Sequence, residues 1–99
     1  MQRILANYTV ASGRGLLVNH VTTIDNGRLL ALEPIDDERA CTRYEPRVMC
    51  LVPTAACTDE LLRLITGAST RTQLATLLTS LPPLKTGTPV TIVASRVTE

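Results

Sequence analysis

The stretch that decides the fold is Arg47-Val48-Met49-Cys50-Leu51-Val52-Pro53-Thr54-Ala55-Ala56-Cys57-Thr58. Val48 to Val52 are all apolar, with none of the alternation of a half-solvated strand. Such a run has the character of a strand buried on both faces. Pro53 has no N–H to give to a ladder and ends it. At Thr58 the chemistry changes. A hydroxyl suited to an N-cap precedes Asp59 and Glu60, two acids in a first turn where the helix dipole favours them.

Upstream, Gln2 to Ala11 alternates. Ile4, Ala6, Tyr8 and Val10 are expected on one side and Leu5, Asn7 and Thr9 on the other, the period of a strand. Ser12-Gly13-Arg14-Gly15 is a turn cluster. Leu16 to Ile24 is rich in β-branched residues and predicts a second strand. Asn26-Gly27 supplies the two positive φ angles of a type I′ turn, so Arg28 to Leu32 is the returning arm of a hairpin. Glu33 to Asp37 is a polar break. Arg39 to Tyr44 predicts an edge strand, with Arg43 and Glu45 suited to a solvated side and Glu45-Pro46 a short turn.

Downstream, Leu61, Leu62 and Ile65 form one face of the first helix, and Gly67 suits the left-handed residue after its end. Thr70 with Gln73 is a capping box. Leu74, Leu77, Leu78 and Leu81 then make an amphipathic stripe, stopped by Pro82-Pro83. Pro89 to Val97 is apolar and β-branched, a last strand. The expected fold is α+β and mainly β, in one domain over residues 1–99. It is a small sandwich-like sheet folded on itself, with two short helices inserted before the last strand.

Composition narrows the function. The 99 residues hold no Phe or Trp and only two Tyr, so the core is aliphatic. Large aromatic anchors for a ligand pocket are missing. Net charge is +1, and the arginines are scattered among acids. No basic stripe and no stacking surface exist for nucleic acid. No segment approaches the ~18 apolar residues of a membrane span. Cys41, Cys50 and Cys57 match no common zinc spacing, and the N-terminus lacks a signal-like apolar stretch. A reduced, cytoplasmic protein is expected.

Two stretches resemble the metal-dependent amidohydrolases. Ile4-Leu5-Ala6-Asn7, the hairpin around Asp25-Asn26-Gly27-Arg28-Leu29, and Val48 to Pro53 are similar to that family's N-terminus. There an opening strand leads to a V-x-x-x-D-G-x-I hairpin and then to an apolar strand ending in Pro-Gly. Here an extra Asn separates Asp25 from Gly27, and Thr54 replaces the Gly. Leu61 to Thr66, Thr70 to Leu81 and Leu84 to Val93 resemble the C-terminal end, which closes on L-x-x-G-x-x-A-D-L-V. Gly87 is kept, whereas Val90 and Thr91 replace Ala-Asp. In that family the two ends meet in a small β-sandwich-like domain beside a TIM barrel. A barrel needs roughly 250 residues, and four residues separate Pro53 from Thr58. The resemblance therefore implies the composite domain alone.

The family's metal ligands lie on the missing barrel, so none transfers. His20 is the only histidine and is read as an ordinary strand residue, since metal activation of water needs about three protein ligands. Cys57, at the first helix start, is the cysteine with most reason to be reactive, yet packing beside Ala55 and Ala56 is the simpler role. Cys50 is read as core, and Cys41 as part of an edge strand. Asp36-Asp37-Glu38 reads as a solvated turn. Gly13-Arg14-Gly15 is not a phosphate loop, since no helix follows it. No catalytic residue, metal or cofactor is assigned. The expected role is a non-catalytic binding or scaffolding module, burying a sheet face in a homodimer, against a protein partner or under its own helices. The alternative is a subunit of a metal-dependent C–N hydrolase completed by a separate barrel chain.

Overall fold

The apolar run becomes the spine of the sheet. The structure is a computed structural model, and residues 1–35 and 42–97 are described. The acidic run 36–38, Cys41 and residues 39–41 of the expected edge strand lie outside that description. The strands are β1 (Gln2–Ala11), β2 (Gly15–Asp25), β3 (Arg28–Pro34), β4 (Thr42–Glu45), β5 (Val48–Pro53) and β6 (Val90–Ser95). A 3-10 turn at Thr54–Ala56 leads to α1 (Asp59–Gly67), which α2 (Arg71–Thr79) follows.

All six strands belong to one sheet in the order β3-β2-β1-β5-β6, with β4 joined to β1 beside it. β5 runs parallel to β1 and antiparallel to β6. The last strand thus pairs with a strand from the first half of the chain. Val48, Cys50 and Val52 face the helices and pack with Val10, Leu61, Ile65, Leu74 and Leu78. On the opposite face Leu51 meets Ile24, Leu29 and Val90, and Met49 meets Ile4 and Ala6. The residues from Val48 to Val52 are buried, as the unbroken apolar run predicts.

The sheet is strongly curled. The tip of the β2–β3 hairpin bends across to the start of β6, where Val90 N–H donates to the Gly27 carbonyl and Leu29 N–H to that of Thr88. Asn26 and Gly27 have φ of 52° and 74°, as the turn requires. The concave side so formed holds the second half of the core.

β1 does not keep one face. Ile4 and Ala6 pack with Met49, whereas Tyr8 and Val10 pack on the helix side. Strict alternation would put all four together. The change falls at Asn7, which lies opposite Asn19, a strand residue with φ of 54°. It also coincides with a register step. Ala6 pairs with Glu45 but Thr9 pairs with Met49, so the β4–β5 side carries one residue more. Left-handed backbone at Asn19 supplies the local break that one strand period cannot foresee.

The helix caps also refine the sequence expectations. Thr58 Oγ1 accepts from Leu61 N–H at 3.2 Å, and Thr70 Oγ1 from Gln73 N–H at 3.1 Å. The Gln73 side chain reaches back to Ser69 N–H at 2.6 Å, one residue earlier than a capping box places it. Gly67 is the last helical residue and is not left-handed; Ala68, extended at φ −69° and ψ 139°, ends the helix.

Gly13 is where the turn cluster meets the helices. Its φ is 74°, its N–H donates to the Leu78 carbonyl, and a Cβ there would sit 2.5 Å from Pro83 Cα. Gly13→Ala is therefore expected to cost more than about 2 kcal/mol, from the left-handed backbone and the clash together. Leu74→Ala or Leu78→Ala, at fully buried positions, is expected to cost about 2–5 kcal/mol. Urea unfolding followed by circular dichroism checks all three.

Candidate functional site

Glu45 departs most from its sequence reading. It is only 5% exposed, not solvated. Pro46 turns the chain so that Arg47 folds back onto it. Glu45 Oε2 accepts from Arg47 N–H at 3.1 Å and from its Nε at 3.2 Å, and Oε1 accepts from Nη2 at 3.2 Å. Arg43 adds a cation 3.8 Å away. Hydrogen bonds from Arg47 outweigh desolvation and hold the Glu45 carboxyl below its ordinary value of 4.5. The carboxylate clamps the step between β4 and β5, where the register with β1 shifts. Its two oxygens are already occupied, which leaves it poorly placed as a base or ligand.

His20 sits on β2 opposite Ala6. Its Nδ1–H donates to the Val18 carbonyl at 2.9 Å, beside the left-handed Asn19. Tyr44 accepts from Asn7 Nδ2 at 2.9 Å through its hydroxyl. Arg71, at the start of α2, lies over the Tyr8 ring at 4.0 Å, a cation–π contact that ties the helix to β1. Ser12 donates through Oγ to the Pro82 carbonyl at 2.6 Å and fixes the chain leaving α2.

Cys50 and Cys57 are free thiols. Cys50 is fully buried in β5, and desolvation pushes it up to about 12. Cys57 is half-buried, and its side chain packs against the helix-side core. It lies just before the Thr58 cap of α1. Among the described residues no group of three His, Cys, Asp or Glu side chains converges to hold a metal. Among them, too, no helix is long and apolar enough to cross a membrane.

What remains is surface shape. A shallow groove of about 320 Å³ lies between α1 and α2, lined by Arg63, Leu64, Gly67, Ala68, Gln73 and Leu77. A second, of about 240 Å³, lies between the α1–α2 loop and the end of β6, with Ser69 and Arg96 at its rim. Ala68 borders both, so the loop is a low ridge between them. Leu64 is half-exposed at this surface. Sequence periodicity places Leu64 outside the buried stripe but cannot show that it lines a groove against α2. Comparison with protein-family models, with curated proteins and with solved structures gave no match.

Two tests follow from these surroundings. A carboxyl whose value is lowered by folding adds stability above its ordinary value and loses it as pH falls through the folded one. Wild type is therefore expected to lose urea resistance below about pH 4.5, whereas Glu45→Gln starts less stable at pH 7 and shows a flatter profile there. Equal slopes in the two proteins would assign the carboxylate no such role. For the thiols, maleimide labelling with peptide mapping should modify Cys57 in the native protein and Cys50 only in urea.

Proposed function

We propose that this chain is a non-catalytic binding or scaffolding module related to the composite domain of amidohydrolases. One observation carries the reading: the side chains that sequence chemistry or burial singles out, Glu45, His20, Arg71, Cys50 and Cys57, each contact the fold's own backbone, rings or core. Glu45 clamps a strand junction, His20 pins a strand break, Arg71 stacks on Tyr8, Cys50 packs in the core and half-buried Cys57 packs against it. A group committed to structure in this way is poorly free to move protons or bind a reacting atom. The relationship to amidohydrolases is supported by element order. An opening strand, a hairpin, an apolar strand ending at Pro53, two helices and a closing strand follow one another, and the last pairs with the apolar strand.

One face of the sheet is covered here by α1 and α2. Leu16 and Val18 on β2 stay exposed beside them. That exposure is the one observation that favours the rival reading, a subunit docking onto a separate barrel chain.

Capture of the tagged protein from its native lysate, with elemental analysis of the purified chain, separates the readings. The module reading expects no stoichiometric metal and no co-purifying barrel chain. Recovery of an amidohydrolase barrel with its metal supports the subunit reading. One tight metal bound by the chain alone would overturn both.

A further inference from the structure

We infer that the outer edge of β6 is a self-pairing surface, on which a second copy of this chain adds its own β6 antiparallel about a twofold axis at Val93. The inference names a partner for the module proposed above and rests on that reading for its meaning, although the geometry stands apart from it.

The direction of the backbone groups comes first. Thr54 N–H donates to the Pro89 carbonyl from the β5 side, whereas Val90 N–H donates outward to Gly27. Successive residues of a strand point their backbone groups to opposite neighbours. The N–H and C=O of Thr91, Val93 and Ser95 therefore serve β5, and those of Ile92 and Ala94 point away from it. The β5–β6 register is unbroken from Val48↔Ser95 to Pro53↔Val90, so this alternation holds along the strand. Among the described residues neither Ile92 nor Ala94 has a hydrogen-bond partner on that side. The hairpin tip occupies the edge only at its start, around Val90.

The other edges are protected and this one is not. β3 carries an extra residue, Leu30, between the pairs Ile24↔Leu29 and Thr23↔Ala31, and it ends in Glu33-Pro34. β4 is four residues long, carries Arg43 and Glu45, and runs into Pro46. Bulges, charges, prolines and short length are the usual devices that keep an edge from pairing. β6, Val90 to Ser95, has no charge, no proline and no bulge. Thr91 to Ala94 are partly buried even at the edge. An uncharged strand meets its own copy without repulsion. With the axis at Val93, Ile92 lies opposite the partner's Ala94 and Ala94 opposite the partner's Ile92. The larger side chain thus meets the smaller, and each of these pairs exchanges both backbone bonds. A twofold pair also uses up the edge on both copies, which closes the assembly.

Sedimentation equilibrium from micromolar to millimolar protein, combined with residue-resolved hydrogen exchange, tests this. The expected result is a reversible dimer in which the Ile92 and Ala94 amides are protected and become exposed to exchange on dilution. Ala94→Pro removes only an outward N–H, so it is expected to keep the β5–β6 ladder and the circular dichroism while abolishing the dimer. A monomer at all concentrations overturns the inference and leaves the module reading standing. So does a dimer whose Ile92 and Ala94 amides exchange freely, an outcome measured on the wild type even if the proline variant fails to fold.

Discussion

Burial of β5 on both faces is the constraint on which the rest of this structure depends. A strand covered on one side needs one partner layer. A strand covered on both needs two, and a chain of 99 residues has little to build them from. The helices supply one layer, with Leu61, Ile65, Leu74 and Leu78 against Val48, Cys50 and Val52. The sheet must supply the other by curling onto itself, so that Ile24, Leu29 and Val90 reach Leu51. Both layers are aliphatic, as the absence of Phe and Trp dictates. Without large rings to span a gap, the layers have to approach closely. Small residues at contact points, such as Gly13 against Pro83 and Ala6 beside Met49, follow from that need.

Curling has its own cost in backbone geometry, and the chain localises it. The left-handed Asn19 and the face change at Asn7 lie across from each other on paired strands, and the register step between β4 and β5 falls at the same level. Below that level β1 serves the concave core; above it, the helix-side core. One strand thereby joins two layers that a flat sheet would keep apart. Glu45 and Arg47 sit at this junction because the extra residue on the β4–β5 side needs its backbone fixed. A carboxylate accepting the Arg47 N–H together with its guanidinium does so locally. The ion pair is thus a geometric device for the strand junction more than a source of net stability.

Much of this architecture was legible in the sequence where one local rule acted alone. The Asn26-Gly27 turn, the Thr58 and Thr70 caps and the double burial of Val48 to Val52 follow from turn chemistry, capping and hydrophobic pattern, whereas the pairing of the last strand with the first half of the chain was implied only by the family resemblance. What was not legible depended on two strands at once. Period-two alternation assigns Ile4 and Val10 to one face because it knows nothing of Asn19, which lies twelve residues after Asn7 in the chain. Glu45 looked solvated because charge and a following proline usually mark a turn. Its burial arises from Arg47 and from the parallel pairing with β1, a contact no local signal announces. Gly67 matched a helix-ending pattern, but the extended Ala68 already ends α1. For the candidate site the position was harder still. Leu64 and Arg63 carry no motif, and the groove they line exists only because α1 and α2 meet over the sheet.

The same curling bears on how such a domain meets other molecules. A sheet whose ends approach through the hairpin tip and the start of β6 leaves most of its last strand beyond the point of contact. Full closure would have removed that edge, as in a barrel. Here the β2–β3 hairpin is too short to follow β6 past Val90, because its tip ends at Gly27. The free length of β6 is therefore a consequence of the geometry that seals the concave core. Lengthening the hairpin would cover the edge but would move Leu29 away from Leu51 and Val90. Keeping Leu29 in the core keeps the edge open, and an open edge without charges is a surface that favours another strand over water.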